Sequence, residues 1–366
     1  MHVCLNRLST LALLRQLRAT EDPSCWEACS IPDPDPWPLK RWSARAVPYT
    51  LLGRDRPPSS RNPLEIMVAV AQARPKASFI SSRVIGAELP AGSFVRVSDE
   101  FTVPCPELLY LELSRVMHPA ALTLVGYELC GAYARNPLRP RTGPVTHGLA
   151  PLTSVSKIRS YLDKCKGVRG IGVARTALED VRDNAWSAME AIVSLLLVRD
   201  VKDHGYGIKG ITLNERETFV GELASKTLAS SRVPDISLNE LPVGFNYDGY
   251  GHLDLNSIDV VALDAGDLKG KLAEVRSKYV DDLRRNRELL AQGRIVLPLV
   301  AEDLFEWGGL DAAVLEAVLA AERITGTSGE VGRSVRSTLK KPHVARRQQL
   351  IWSLYPWEGG SSLSAY

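Results

Sequence analysis

After Gly170 the apolar residues recur in an order that few architectures accommodate: helix, short strands, one long helix, a last buried strand, a further helix. "GIGVARTALEDVRDNAWSAMEAIVSLLLV" carries helical periodicity in two runs parted at Asp183 and Asn184, the second strongly apolar. "DHGYGIKGITLN" then gives a Gly-rich turn into an extended run. Short strands are expected near Phe219 and Val220 and over 234–238, 243–247 and 260–263. A long amphipathic helix is predicted over roughly 272–292, a buried strand in "RIVLPLVAEDL" and a helix in "GLDAAVLEAVLAAERI". Helices that alternate with short strands must cover a sheet, so this part reads as α/β, a small mixed sheet flanked by helices.

The upstream part is patterned differently. An opening helical stretch is followed by "IPDPDPWPLKRW" and "GRDRPPSSRNP", where proline removes amide donors and drives its predecessors out of the α region. "NPLEIMVAVAQAR" reads as a capped helix with Pro63 in its first turn. Short strands are expected around Phe79 and over 94–97, with a turn at Asp99 and a helix opening near Pro106. In "PAALTLVGYELCGAYA" Leu122, Val125 and Leu129 share one helical face, which reads as core. "NPLRPRTGPVTHGLAPL" is a Pro/Gly-rich link, and "SVSKIRSYLDKC" restarts a helix with Ser154 or Ser156 as N-cap. A chain of 366 residues exceeds one ordinary core. The expected division is a mainly helical α+β domain over 1–140, a linker and helix over 141–169, the α/β domain over 170–325 and a basic extension over 326–366.

Hydrophobic residues at 45% and charged residues at 24% exclude a disordered, collagen-like or membrane chain, and no apolar run has the length of a spanning helix. The default compartment is the cytosol, and no membrane partner is expected. Six cysteines in so long a chain do not form a disulfide framework. Cys25 and Cys29 have the i, i+4 spacing of half a metal site on a helix, but no His/Cys pair follows to complete a tetrahedral set. The net charge of +3 is slight, yet "KYVDDLRRNRELLAQGR" and "RSVRSTLKKPHVARR" gather arginine and lysine late in the chain. Arg284, Arg285, Arg287, Lys340 and Lys341 are therefore candidate phosphate contacts; a solvated helix face is the plainer reading of such runs. "HGYG" lacks the Lys-Ser/Thr and the receiving helix of a phosphate loop, and no serine or cysteine nucleophile has a motif around it.

The densest polar cluster is "VGFNYDGYGHLDL". Mg²⁺ takes hard oxygen ligands, so a metal-dependent nuclease needs carboxylates brought together from adjacent strands and a packed helix. Asp235 and Asp248 are candidate metal ligands from two short strands, Glu190 is available from the apolar helix, and His252 could manage protons. Each has a plainer reading: Glu190 as a helix-edge residue paired with Arg182 or Arg199, Asp235 as a turn residue, and Asp248 with Gly249 as a hairpin signal.

The order "SAMEAIVSLLL", "HGYGIKGITLN", "VPDISLNELPVGFNYDGYGH", "VDDLRRNRELLAQGRIVLPLVAEDL" resembles the endonuclease-like domain related to very-short-patch repair endonucleases, a branch of the PD-(D/E)XK fold. The resemblance covers roughly 170–320. It sets Glu190 on the family's helical Glu, Asp235 on its first-strand Asp, Asp248 and Gly249 on its "D-G", His252 on its His, and Asp281 and Arg285 on its later helix. It implies a restriction-endonuclease-like fold, DNA as partner and Mg²⁺ as cofactor if the site is active. Where the family has Glu before "Y-D-G", this chain has Asn246, whose amide offers oxygen without charge, so the implied site is weakened. The upstream segments "ELPAGSFVRVSDEFTVPCPELLYLELS" and "LVGYELCGAY" are loosely similar to regulator-like antitoxins of abortive-infection systems, although no helix-turn-helix is evident at the N-terminus. Three functional readings follow: a metal-dependent DNA phosphodiesterase using Glu190, Asp235, Asn246, Asp248 and His252; a non-catalytic DNA-binding regulator of the antitoxin or defence type, with a protein partner such as a cognate toxin; or an interaction protein whose hairpin acids are simply solvated.

Overall fold

In the computed structural model, which describes residues 3–29, 43–85, 88–227, 229–248 and 265–354, the chain is mixed α/β and forms two compact units that meet in sequence at Ala191 and Ile192. His252, Gly249 and the strand expected over 260–263 lie outside the described residues.

The first unit contains β1 (Val3–Cys4), α1 (Arg7–Arg18), β2 (Glu27–Cys29), β3 (Leu64–Val68), β4 (Ile80–Val84), β5 (Phe94–Arg96) and β6 (Phe101–Pro104). These are followed by α2 (Pro106–Leu113), α3 (Pro119–Leu129), β7 (Tyr133–Ala134), β8 (Thr146–His147), α4 (Val155–Lys164), α5 (Ile171–Glu179) and the start of α6 (Ala188–Val198). Local chemistry sets many of these starts. Asn6 accepts the Arg7 N–H ahead of α1, Ser154 accepts the Lys157 N–H ahead of α4, and Pro106 and Pro119 occupy first turns where no amide donor is needed. A four-stranded sheet runs β1-β6-β5-β2, with β1 parallel to β6 and the other neighbours antiparallel.

α3 is buried from Ala120 through Leu129 and so behaves as a central helix rather than a one-sided one. Its embedded Glu128 is matched by Arg15 from α1, whose Nε and Nη2 donate to the carboxylate at 2.8 and 2.6 Å. Arg18 donates to the carbonyls of Glu128, Gly131, Tyr133 and Ala150 at 2.9–3.0 Å. These bonds draw a cation to carbonyls left unpaired past the end of α3, where the helix dipole also favours positive charge. α4 and α5 pack on α2 and α3, which is why the first unit runs past the change of pattern at Gly170 into α6.

Two expectations fail here. "NPLEIMVAVAQAR" forms β3, not a helix: Leu64–Val68 pairs in parallel with Ile80–Val84, and Ile66 also bridges to Leu5. Tertiary pairing overrides the helical composition of that stretch, and Glu65 serves α1 instead by accepting the Leu8 N–H at 2.9 Å. Cys25 and Cys29 do not share a helix either. Cys25 closes a 3₁₀ turn while Cys29 lies in β2, paired with β5, so their sequence spacing does not place them on one helical face.

The second unit contains β9 (Ile211–Leu213), β10 (Glu217–Thr218), α7 (Gly221–Lys226), β11 (Ser231–Arg232), β12 (Ile236–Leu238), β13 (Val243–Asp248), α8 (Ala265–Ala291), β14 (Ile295–Val300), α9 (Ala301–Phe305), α10 (Gly309–Thr325), α11 (Gly329–Thr338) and α12 (Lys341–Leu354). Its sheet runs β14-β13-β12-β9; β12 is antiparallel to both neighbours, whereas β13 and β14 are parallel, as a connection through a helix requires. Pro298 opposes Asn246 on β14, an edge strand, where a missing donor is tolerated. Gly244 is dictated by packing, since a Cβ there would lie 2.4 Å from the Ile236 carbonyl oxygen.

The late basic run is partly structural. Arg347 on α12 is fully buried, pairs with Asp311 of α10, donates to the carbonyls of His204 and Thr338, and lies over the Tyr206 ring at 3.9 Å. The Gly-rich turn before β9 is structural too, because a Cβ on Gly205 would come within 2.0 Å of the Arg199 carbonyl oxygen.

Candidate functional site

The β12–β13 hairpin positions three of the residues singled out in the sequence. Its register pairs Ile236 with Phe245 and so sets Asp235, one residue before β12, opposite Asn246. The Asn246 side chain is 2% exposed, and its Oδ1 accepts the Asp235 backbone N–H at 3.0 Å. Asp235 answers across the strand: its Oδ2 accepts the Tyr247 N–H at 2.7 Å. The backbone of each strand is therefore held by a side chain of the other. Asn246 Nδ2 is buried without a hydrogen-bond partner.

Asp248 ends β13 and is half-buried. Its Oδ1 is 3.9 Å from Arg285 Nη2 on α8, and the same guanidinium nitrogen lies 3.0 Å from Asp282 Oδ1. Asp281, one position earlier, is bound in both oxygens by Arg232 at 3.0 Å, and Glu288 takes Arg232 Nε at 2.6 Å. Thus α8 is tied to the sheet side by two arginines, one from β11 and one of its own.

As they stand, these residues fit a divalent cation poorly. One oxygen of Asp235 and the oxygen of Asn246 are engaged by backbone amides, Asn246 brings no charge, and Asp248 already faces a guanidinium that repels a metal. Among the described residues no group of three or more His, Cys, Asp or Glu is arranged to hold a metal ion.

Glu190 belongs to the first unit, at the first turn of α6. Its backbone N–H donates to Ser187 Oγ at 3.1 Å and its Oε2 accepts the Trp186 N–H at 3.0 Å. The carboxylate thus caps its own helix, where the dipole favours negative charge, which accounts for a 6%-exposed acid in an apolar run. "SAME" is an S-x-x-E signal of this arrangement already visible in the sequence.

Arg284, Arg287, Lys340 and Lys341 are exposed and, among the described residues, have no ion-pair partner; Arg346, which sequence reasoning did not single out, is exposed as well. Arg285 is instead held between carboxylates. The second unit thus offers exposed cations that could meet a phosphate chain and, separately, a hairpin braced by side chains. No described helix is long and apolar enough to cross a membrane. Neither a protein-family model, nor a curated protein, nor a solved structure matches this chain.

Proposed function

We propose that the second unit is an endonuclease-like module, similar to the very-short-patch branch of the PD-(D/E)XK fold, that holds nucleic acid without cutting it. The observation that carries this reading is Asn246: it stands where that family has a charged ligand, and its amide is used to brace Asp235. The order of α6, three antiparallel strands, α8 and a parallel β14 supports the fold part of the proposal. Exposed Arg284, Arg287, Lys340 and Lys341 supply the phosphate contacts, and DNA is the partner. The loose similarity of the upstream segments to antitoxin regulators supports reading the chain as a cytosolic defence or antitoxin-type protein with a protein as its second partner.

Fluorescence anisotropy of labelled duplex DNA over a salt series tests this. Binding through about four phosphate contacts gives a log–log slope of roughly −3.6, or about a hundredfold loss of affinity between 50 and 200 mM salt. Arg284→Gln with Arg287→Gln flattens that slope by about 2. Binding that ignores salt, or no binding, contradicts the proposal. A metal-dependent phosphodiesterase is the second reading, favoured by Asp235 and Asp248 standing on neighbouring strand ends.

A further inference from the structure

A polar cleft of about 330 Å³ opens in the first unit beside the start of α1. Arginines enter it from five separate stretches of chain: Arg7 at the first position of α1, Arg74 between β3 and β4, Arg83 on β4, Arg115 after α2 and Arg169 ahead of α5. Glu112, 3% exposed, is their main counter-charge. Arg83 Nη1 lies 3.1 Å from its carboxylate, Arg115 Nη1 3.2 Å and Arg7 Nε 3.7 Å. One carboxylate therefore gathers three guanidiniums. Glu65 is only 3.8 Å from Arg7, and one of its oxygens is taken by the Leu8 N–H.

The imbalance is built into the backbone. Arg7 sits at φ 44°, in the left-handed region that L-residues avoid, and Asn6 accepts its N–H at 2.9 Å. Its Nε is buried without a hydrogen-bond partner. Burial pushes the Glu112 carboxyl up, opposed by Arg83, Asn6 and Arg7. Five guanidiniums at the cleft against the carboxylates of Glu112 and Glu65 leave a positive excess, enough to match a phosphate monoester, which carries about two negative charges at neutral pH.

We propose that this cleft binds a phosphate monoester, its oxyanion taken by Arg7, Arg83 and Arg115 with Arg74 and Arg169 at the exposed rim. Guanidinium forks suit the oxygens of a tetrahedral dianion, and half-buried arginines held by one carboxylate are oriented before the ligand arrives. The described lining holds no aromatic ring on which a base could stack. Phosphate, not base, is therefore the recognised group. The site lies in the first unit and does not depend on the hairpin of the second.

Calorimetric titration of the full chain with a nucleoside 5′-monophosphate, against its parent nucleoside, tests the assignment. The monophosphate binds at least tenfold more tightly than the nucleoside, and Arg83→Gln weakens it at least tenfold. Arg74→Gln, at the exposed rim and so without effect on folding, weakens it severalfold. Inorganic phosphate and 5′-phosphorylated against 5′-hydroxyl oligonucleotides identify the source: equal binding of inorganic phosphate marks a free-anion site, tighter binding of the phosphorylated oligonucleotide a chain end. No binding of any phosphate, equal binding of the nucleoside, or unchanged affinity in a folded Arg83→Gln or in Arg74→Gln overturns it.

Discussion

Asn246 and Asp235 face each other across the β12–β13 hairpin, and the amide oxygen of the first accepts the backbone N–H of the second at 3.0 Å. With Asp235 returning a bond to the Tyr247 N–H, the pair fixes the hairpin end by side chains where the ladder stops. Removing the amide leaves a backbone donor to find another partner. Asn246→Ala is expected to cost about 1–3 kcal/mol, read as a lower urea midpoint for the second unit.

Placing a charge at that position creates a different molecule. Asn246→Glu sets two carboxylates side by side in a largely buried place, so in EDTA the variant melts below the native chain. Mn²⁺ neutralises the pair and returns part of the loss, whereas the native melting temperature does not move with Mn²⁺. A metal-induced shift in the native chain would show that Asp235 and Asn246 already bind a cation.

Arg15 and Glu128 make the corresponding test in the first unit. Burial pushes the Glu128 carboxyl up, yet Arg15, its hydrogen bonds and the Arg135 N–H hold it below the usual glutamate range. A carboxyl lowered in the folded state stabilises the fold above its unfolded value of about 4.3, and that contribution is lost as pH falls below it. Glu128→Gln, which leaves Arg15 buried beside a neutral group, costs about 3–5 kcal/mol at pH 7. Melting temperatures from pH 7 to pH 3 should show the two proteins converging.

These cases show where sequence reasoning reached and where it stopped. Local signals were legible: Ser154 caps α4, Pro106 opens α2, and the alternation at 243–247 forms β13. Long-range pairing was not. Met67 and its neighbours have helical composition and become a strand because residues 80–84 lie alongside. Glu190 looked like a buried charge awaiting a metal, although Ser187 three residues earlier marked it as a cap. The five-arginine cleft was invisible, since its members are scattered from Arg7 to Arg169 and meet only through the fold.

Arg347 is a structural member of the late basic run. It is fully buried against Asp311 and Tyr206, and Arg347→Ala strands Asp311 without its cation, at a cost of about 3–5 kcal/mol in the second unit. Lys340→Gln with Lys341→Gln, at exposed positions, leaves the unfolding curve unchanged within about 0.5 kcal/mol. Denaturation of the two variants side by side checks the assignment.

The most direct test of the second unit is to incubate the full native chain with supercoiled plasmid and Mn²⁺ or Mg²⁺, assaying retention on a filter and plasmid integrity in the same tubes, beside EDTA and Asp235→Ala controls. A braced, uncharged Asn246 predicts that the plasmid is retained in a salt-sensitive manner and stays supercoiled in every tube. Nicking or linearisation that requires the metal and disappears in Asp235→Ala would contradict the account and make the hairpin a working cleavage site.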